Sequence, residues 1–267
     1  MKHLEFAANH PGAATVVFLH GGNVAGWMWG EQVPALTDHH LLVVDLPGFG
    51  ASNDENWTSM ADAADAVAGL IRQRATGGTA HVVGLSLGAG VGIHLATRHP
   101  ELVSSLFMSS TSVTVPSRRT RLVGRAMLGA WNRRWFWSAL ARGYGLPADS
   151  VGLFVTTGLG IRRETALAVF DETCRGLTRE QLAALRVPVL AVAGERDSPA
   201  IAVDSLAEIR AAVPGALTAT APGMHHQWNI ENVDLFNRAL RTWIETATVA
   251  DGMVNSGRRS GEHGRRE

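Results

Sequence analysis

One serine of the chain lies between two glycines, directly after a run of apolar residues. The segment is HVVGLSLGAG, residues 81–90, and it places Ser86 between Gly84 and Gly88. A buried strand that turns sharply into a helix needs small residues on both sides of the turn, and the residue at its apex presents its side chain beyond the strand end. Backbone N–H groups at the start of the helix point to the same place and can bind negative charge. The pattern predicts a nucleophilic hydroxyl beside an anion-binding position.

A serine hydroxyl becomes a good nucleophile only when a base takes its proton and an anion orients the base. Two later segments supply these residue types in the order serine, acid, histidine. VLAVAGERDSP places Asp197 just after an apolar run, and APGMHHQWNIENVDLFN places His225 and His226 in a loop before the last predicted helix. We expect Asp197 and one histidine to meet Ser86, with Glu195 as the alternative acid. The competing interpretation of Asp197 is a helix cap.

Short apolar runs alternate with helix-like segments along most of the chain. The runs are continuously apolar, which is typical of strands buried on both faces of a parallel sheet. Strands are predicted at about 14–20, 40–47, 80–86, 103–110 and 187–194, and helices at 59–75, 87–100, 200–215 and 231–247. This alternation predicts an α/β fold with a doubly wound, mostly parallel sheet.

The alternation stops between residues 112 and 181, where the pattern is helical throughout. This segment holds eleven arginines against five acidic residues, and the aromatic residues Trp131, Trp135, Phe136, Trp137 and Phe154. We interpret it as a helical insertion over the sheet, in which most aromatic side chains pack together and most arginines face solvent. The predicted division is a core of residues 1–111 and 182–248, an insertion of 112–181, and a polar tail of 249–267 that is expected to be disordered.

Composition and missing motifs exclude several other classes of protein. Acidic and basic residues balance at 24 each, so the net charge indicates no nucleic-acid partner. Lys2 is the only lysine, which excludes a P-loop, and the glycines after residue 84 do not have the spacing of a dinucleotide fingerprint. Cys174 is the only cysteine, and no second cluster of histidines and acids has ligand spacing. Neither a cofactor nor a metal ion is therefore expected.

The sequence also lacks apolar segments of the kind that target or anchor a protein. Its first residues, MKHLEFAANHPG, do not have the apolar core of a signal peptide, and no apolar run approaches the roughly 20 residues of a membrane span. We expect a cytoplasmic protein that acts on a small molecule. The sequence leaves its oligomeric state open.

Five ordered motifs together resemble the α/β-hydrolase superfamily. FLHGGNVAGWMW (18–29) resembles the loop after the family's third strand, DLPGFGAS (45–52) resembles the segment after its fourth strand, and GLSLG, GERD and HHQWNIENVDLFN complete the series. The resemblance covers residues 14–247 and implies the α/β-hydrolase fold with a helical cap. In one departure, only a single strand, about HLEFAAN, fits before the strand at 14–20, where the family usually has two.

The resemblance implies a catalytic triad of Ser86, Asp197 and His226. In many members of the family, the histidine lies five positions before an acid that opens the last helix, and that acid is here Glu231. An exchange of roles between His226 and His225 stays open.

The resemblance also assigns two backbone donors and one bracing residue. The N–H groups of Gly22 and Leu87 correspond to the oxyanion hole. His20 corresponds to a loop residue that usually braces the backbone by hydrogen bonds.

The activity implied by the resemblance is hydrolysis of an ester-like bond through an acyl-enzyme, as in a carboxylesterase. The same triad supports C–C bond hydrolysis, lactone opening, perhydrolysis and acyl transfer, and a non-catalytic ligand-binding receptor is the alternative of a different class. The pocket is expected between Ser86 and the insertion, lined by Trp27, Met28, Trp29 and Trp228, although core packing suffices to explain at least half of these. Their abundance favours an apolar group in the substrate.

Overall fold

The structure is a computed structural model that describes residues 1–256. Its strands are β1 His3–Phe6, β2 Thr15–Leu19, β3 His40–Val44, β4 Ala80–Leu85, β5 Val103–Ser109, β6 Val189–Gly194, β7 Leu217–Ala221 and β8 Val254–Asn255. Its α-helices are α1 Met60–Arg74, α2 Leu87–Arg98, α3 Arg118–Met127, α4 Arg134–Gly143, α5 Ala148–Gly160, α6 Arg163–Thr173, α7 Arg179–Ala183, α8 Leu206–Ala212, α9 Trp228–Glu231 and α10 Val233–Thr246. None of the helices formed by residues 1–256 combines the length and the apolar character that a membrane span needs.

The described strands form one sheet in the order β1-β3-β2-β4-β5-β6-β7-β8. The six inner strands run parallel, and the short edge strands β1 and β8 pair antiparallel with β3 and β7. Every residue of β2 and of β6 is buried, so both faces of the sheet are covered. The prediction of a doubly wound, mostly parallel α/β sheet is confirmed.

The direction in which strands are added to the sheet reverses at β2. Strand β3 lies on one side of β2, whereas β4 and the strands after it lie on the other. The ends of β2 and β4 are neighbours, since Leu19 pairs with Gly84. Open α/β sheets form a ligand crevice at the carboxyl ends of strands around such a point. The loop that starts at His20 and the turn that holds Ser86 therefore emerge side by side.

All five predicted strands are present, and one strand, β1, precedes β2 as predicted. Strands β7 and β8 were not predicted. The sequence of β7 is LTATA, in which alanine has a low preference for strands and the apolar run is weak. Its strand conformation comes from parallel pairing with β6, which no local pattern shows.

The predicted helices are present, with two of them divided. The segment predicted at 200–215 begins as a wider π-helical turn at 200–205, continues as α8 and ends ahead of Pro214. The segment predicted at 231–247 begins with the last residue of α9 and continues, after Asn232, as α10. The Asn232 side chain accepts a hydrogen bond from the N–H of Leu235 at 3.1 Å and so caps α10.

Part of the segment predicted to be a disordered tail belongs to the sheet. Residues 254–255 form β8, the N–H of Ser256 donates to the carbonyl oxygen of Thr218 at 2.9 Å, and Arg210 donates to the carbonyl oxygen of Ser256 at 2.6 Å. The prediction was wrong for residues 250–256, because a polar composition does not reveal that main-chain groups pair with an open sheet edge. Residues 257–267, the rest of the predicted tail, lie outside the described residues.

Helices α3 to α7 lie between β5 and β6 and form the inserted helical segment. Helix α7 ends at Ala183, just beyond the boundary predicted at residue 181. The segment has a small aromatic core of its own. In this core, the ring centroid of Trp137 lies 4.5 Å from that of Trp131 and 5.8 Å from that of Phe154. Trp135 is exposed. Most aromatic residues of the insertion therefore pack with one another, as predicted.

Polar contacts fasten the insertion to the rest of the protein. The Glu172 side chain accepts hydrogen bonds from Trp57 Nε1 at 3.0 Å and from the N–H of Met60 at 2.8 Å. In addition, Trp27 Nε1 donates to Thr157 Oγ1 at 2.9 Å. Helices α5 and α6 are therefore each tied to a loop at the carboxyl edge of the sheet.

Candidate active site

Ser86 occupies the turn between β4 and α2. Its φ of 52° and ψ of −108° are rare for a residue with a side chain, so the surroundings must hold this conformation. Its N–H donates to the carbonyl oxygen of Ser109 at 2.8 Å, and its own carbonyl oxygen accepts from the N–H groups of Ala89 and Gly90 at 3.1 Å. These main-chain bonds fix the turn and keep the serine at the carboxyl end of β4.

The two glycines beside the serine are required by close main-chain contacts. A β-carbon at Gly84 would lie 2.5 Å from the carbonyl oxygen of Gly88, and a β-carbon at Gly88 would collide with the main chain of Leu19. Side chains do not tolerate such approaches. The first turn of α2 can therefore pack on the ends of β2 and β4 only with glycine at both positions.

The loop after β2 lies beside Ser86, and His20 braces it. A β-carbon at Gly21 would lie 3.7 Å from Cβ of Ser86. The buried ring of His20 accepts from the N–H of Leu46 through Nε2 at 3.0 Å and donates from Nδ1 to the carbonyl oxygen of Gly21 at 2.7 Å. Desolvation lowers the pKa of His20, which favours the neutral ring that this pair of bonds requires.

The predicted oxyanion-hole donors lie in the two segments that meet at Ser86. Gly22 follows Gly21 in the loop after β2, and among residues 1–256 no atom beyond its two chain neighbours lies within 4 Å of the position that its β-carbon would take. Leu87 is the first residue of α2. An N–H group at the first position of a helix has no acceptor inside that helix, so the Leu87 N–H can bind another group.

Asp197 and His226 meet at the carboxyl ends of β6 and β7. His226 Nδ1 donates to Asp197 Oδ2 at 2.8 Å, and the side chain of Asp197 is only 6% exposed. The other carboxylate oxygen, Oδ1, accepts from the N–H of Ser198 at 2.7 Å. Asp197 therefore contacts the histidine and the N–H of the residue that follows it, whereas the helical turn after Pro199 has no side-chain cap, so the helix-cap alternative is wrong.

His225 has a different carboxylate partner. Its N–H and its Nδ1 contact the two carboxylate oxygens of Glu231 at 2.7 and 2.8 Å. Glu231 is the acid whose spacing favoured His226, yet it binds the neighbouring histidine. Each of the adjacent rings thus has its own carboxylate. In the described part of the chain, histidine, cysteine and acidic side chains form no group of three that could hold a metal ion.

Main-chain contacts hold the turn of Asp197 against the histidine loop. The N–H of Arg196 donates to the carbonyl oxygen of Met224 at 2.8 Å. Glu195, the alternative acid, accepts a hydrogen bond from the N–H of Gly223 at 2.7 Å. The carboxylate of Glu195 therefore supports the loop backbone.

A buried hydrogen bond connects the start of α9, directly after the histidine loop, to the turn at Ser86. Trp228 Nε1 donates to Ser109 Oγ at 2.8 Å, and the carbonyl oxygen of Ser109 accepts from the N–H of Ser86. Among residues 1–256, the hydrogen bonds of Ser86 involve its backbone. The contact of its hydroxyl with His226 is therefore part of the proposal below.

Tyr144, the only tyrosine of the chain, reaches the histidine loop from the insertion. Its ring stacks on that of His226, with centroids 5.5 Å apart and an interplanar angle of 27°. Burial raises the pKa of Tyr144, the charge of Asp197 raises it further, and a hydrogen bond with Asn23 lowers it. Tyr144 was not predicted from the sequence, because the pattern around a single tyrosine in a helical segment does not show which distant residue its ring will contact.

A cavity of about 180 Å³ opens at Ser86 beneath the insertion. The first turns of α2 form one wall, and the end of α6 with the turn that follows forms another. His94, Arg175 and Gln181 add polar groups to the lining. Desolvation lowers the pKa of His94, so its ring tends to stay neutral there. The cavity is thus more polar than the sequence led us to expect.

None of the four residues predicted to line the pocket, Trp27, Met28, Trp29 and Trp228, lines this cavity. Met28, Trp29 and Trp228 are 2%, 0% and 0% exposed and belong to the core. The rings of Trp29 and Trp228 pack on Phe236 of α10, with centroids 5.8 and 4.5 Å apart. These large side chains fix α10 to the sheet. Trp27 is partly buried and contacts the insertion, but it does not line the cavity.

The fold and the geometry of this site can be compared with known proteins. The sequence model described as "Alpha/beta hydrolase family" matches residues 16–239. The chain belongs to this family. The resemblance drawn from the five motifs is thereby confirmed, and the relatives of this α/β hydrolase are themselves hydrolases.

Three comparisons give the range of its relatives. The α/β hydrolase is 29% identical over 269 residues to an AB hydrolase superfamily protein from Gibberella zeae, which covers 92% of this chain and 86% of the relative. It is 28% identical over 245 residues to a 2-(acetamidomethylene)succinate hydrolase from Mesorhizobium japonicum, with 86% and 87% covered. The solved enol-lactonase from Burkholderia xenovorans has a TM-score of 0.78 at 21% identity, with 91% of this chain and 95% of that chain covered. The similarity to the enol-lactonase shows a shared fold.

Proposed function

We propose that this α/β hydrolase cleaves an ester-like bond of a small substrate through an acyl-enzyme on Ser86. The hydrogen bond of 2.8 Å between His226 Nδ1 and Asp197 Oδ2 carries the proposal. A histidine that donates Nδ1–H to a carboxylate keeps Nε2 available to accept a hydroxyl proton. Ser86 is the hydroxyl for this role, since its turn holds it at the cavity and is bonded to the histidine loop through Ser109.

In the first half of the reaction, Ser86 Oγ attacks the carbonyl carbon while His226 Nε2 takes its proton. Asp197 keeps its charge and stabilises the imidazolium. The N–H groups of Gly22 and Leu87 donate to the oxyanion, where the loss of one donor typically costs about 3 kcal/mol. His226 then transfers the proton to the leaving group, whose bond to the carbonyl carbon breaks.

In the second half, water replaces Ser86 as the nucleophile. His226 accepts a proton from this water and returns it to Ser86 Oγ as the acid is released. C–C bond cleavage, lactone opening, perhydrolysis and acyl transfer use the same serine and differ in the leaving group or in the second nucleophile. A receptor would bind ligand without turnover.

A fluorophosphonate probe tests the nucleophile. We expect mass spectrometry to find the label on Ser86 and kinetics to show a burst of p-nitrophenol from a p-nitrophenyl ester. Ser86→Ala should abolish both while the protein stays folded; in a well-studied serine protease the comparable loss is about 10⁶-fold in kcat. Turnover of a panel of acyl esters, lactones and aryl diketones then shows which type of bond the protein cleaves. Label on another serine, or retained turnover in Ser86→Ala, would refute the proposal.

The adjacent histidines provide a matched pair of variants. We expect His226→Ala to lose turnover as completely as Ser86→Ala, because the ring paired with Asp197 is removed. His225→Ala should keep most activity, since its ring is paired with Glu231. Steady-state kinetics on the same ester measures both. The opposite result would assign the base to His225.

A further inference from the structure

An open groove lies on the surface of the inserted helical segment. It has a volume of about 770 Å³, and helix α3 and the end of α6 line it. Its lining contains Arg118, Arg121, Arg125 and Arg175 together with one acid, Asp171. We call this feature the arginine groove.

The arginine groove and the cavity at Ser86 have one side chain in common. Arg175, in the turn after α6, lines both spaces. Of the residues before Arg175 in the chain, Cys174 lines the groove and Thr173 lines the cavity. The cavity and the groove are therefore adjacent at Arg175.

Most of the positive charge in the arginine groove is not neutralised by the protein. Arg125 pairs with Asp171 at 2.8 Å. Across residues 1–256, the ion pairs do not include Arg118, Arg121 or Arg175. A concave surface lined by charges of one sign raises the local concentration of ions of the other sign. The groove therefore favours anions.

Close packing holds the two sides of the arginine groove together. A β-carbon at Gly124 of α3 would lie 2.6 Å from the ring of Phe170 on α6. The bond between Arg125 and Asp171 joins the same two helices. The arginines of α3 are thus presented at a defined distance from Arg175.

We propose that Arg175 and the arginine groove form an anion subsite, and that the substrate carries a carboxylate or phosphate some atoms away from the bond cleaved at Ser86. This inference rests on the proposed function. The cavity of about 180 Å³ is smaller than a usual small-molecule pocket of roughly 300 Å³ or more, so part of the substrate has to lie outside it. Guanidinium groups bind carboxylates and phosphates through paired N–H donors.

Esters that differ only in their far end test the subsite. The substrates are p-nitrophenyl esters of linear acyl chains that end in a carboxylate, in a phosphate, or in the neutral methyl ester of the same carboxylate. We expect kcat/KM to be higher for at least one charged ester than for its neutral counterpart, mainly through a lower KM. Added salt should reduce the ratio, because it screens exposed charges. A ratio of one or less at every chain length would overturn the inference.

Arginine variants separate the subsite from a general effect of charge. Arg175→Gln should lower the ratio of kcat/KM for charged over neutral esters by roughly tenfold, as expected for a lost charge-assisted hydrogen bond. Arg119→Gln is the control. This substitution removes the same charge, and Arg119 lies on α3 but does not line the groove. An equal fall in both variants would show a long-range effect and contradict the subsite.

A binding measurement keeps this inference separate from the proposed chemistry. Calorimetry with Ser86→Ala protein and a linear dicarboxylate should show binding that Arg175→Gln weakens and Arg119→Gln does not. If turnover requires Ser86 but Arg175→Gln changes neither the ester ratio nor dicarboxylate binding, the subsite is wrong and the acyl-enzyme stands. If dicarboxylate binding depends on Arg175 but no ester reacts through Ser86, the anion site stands and the proposed function fails.

Discussion

Asp197 uses its two carboxylate oxygens for two different contacts. Oδ2 accepts from His226 Nδ1, and Oδ1 accepts from the N–H of Ser198, the next residue in the chain. The first contact orients a ring, and the second holds the carboxylate against its own main chain. At the scale of the residue, one side chain therefore makes a long-range and a local contact, and a substitution can separate them.

Asp197→Asn should remove the charge but keep an oxygen that can accept from the N–H of Ser198. We expect kcat to fall by about 10⁴-fold, as the same change does in a serine protease, with little change in melting temperature. Asp197→Ala should lose as much activity and, in addition, about 1 kcal/mol of stability with the hydrogen bond from Ser198. Initial rates and thermal melts measure the two effects. A largely active Asp197→Asn protein would exclude Asp197 as the orienting anion.

At the scale of elements, one turn of the insertion covers both histidines. Tyr144 stacks on His226, and a β-carbon at Gly145 would lie 3.0 Å from His225 Nδ1. Gly145 has a φ of 69°, so the position favours glycine for its conformation as well as for its contact. The position of the insertion and the orientation of the loop that carries His225 and His226 are therefore physically linked.

Strand β8 supports the same loop from the opposite side. It pairs with β7, which leads directly into the segment that carries His225 and His226. The edge is further tied by the hydrogen bond from Arg210 to the carbonyl oxygen of Ser256. A segment that the sequence marks as polar and aperiodic thus closes the sheet beside the candidate site.

Two truncated proteins test the contribution of β8. A chain that ends after Ser256 should keep the melting temperature and the activity of the full chain. A chain that ends after Val249 loses the β8 bonds, each of which contributes about 1 kcal/mol, and should melt several degrees lower. Its activity should also fall, because β7 holds the histidine loop. Equal melting temperatures for the two proteins would show that β8 does not stabilise the sheet.

At the scale of the whole molecule, buried and half-buried histidines make stability depend on pH. Burial lowers the pKa of His20, His81 and His94 from the ordinary value of 6.5. The unfolded chain therefore binds more protons than the folded protein once the pH falls below about 6.5. This contribution to stability is complete above that pH and is lost progressively as the pH decreases below it.

His20 should account for part of this dependence. Protonation of its ring would break the bond that Nε2 accepts from Leu46. We expect urea unfolding to show a lower free energy at about pH 5.5 than at about pH 7, and His20→Asn to reduce this difference by up to about 1.4 kcal/mol per pH unit. The control His10→Asn, at an exposed ring, should not change it. The same pH dependence in both variants would contradict the assignment to His20.

The core of the fold could be predicted because burial on both faces leaves a continuous apolar run in each central strand. The turn at Ser86 could be predicted because the close approach of α2 to β2 and β4 excludes a side chain at Gly84 and at Gly88. Strand β7 could not, since its threonines and alanines become a strand only through pairing. The pocket prediction failed at Trp29 and Trp228 because a large apolar side chain packs equally well in a core and in a pocket.

The amino-acid sequence by itself determined strands β2 to β6, the helices that alternate with them, the turn at Ser86 and the family, since burial and close packing restrict the residue types that these segments can contain. Tertiary structure alone decided which histidine meets Asp197, that Tyr144 covers this ring, and that Arg175 borders the cavity at Ser86. The physical reason is that these contacts join segments far apart in the chain, and their geometry depends on how the insertion and the histidine loop pack on the sheet.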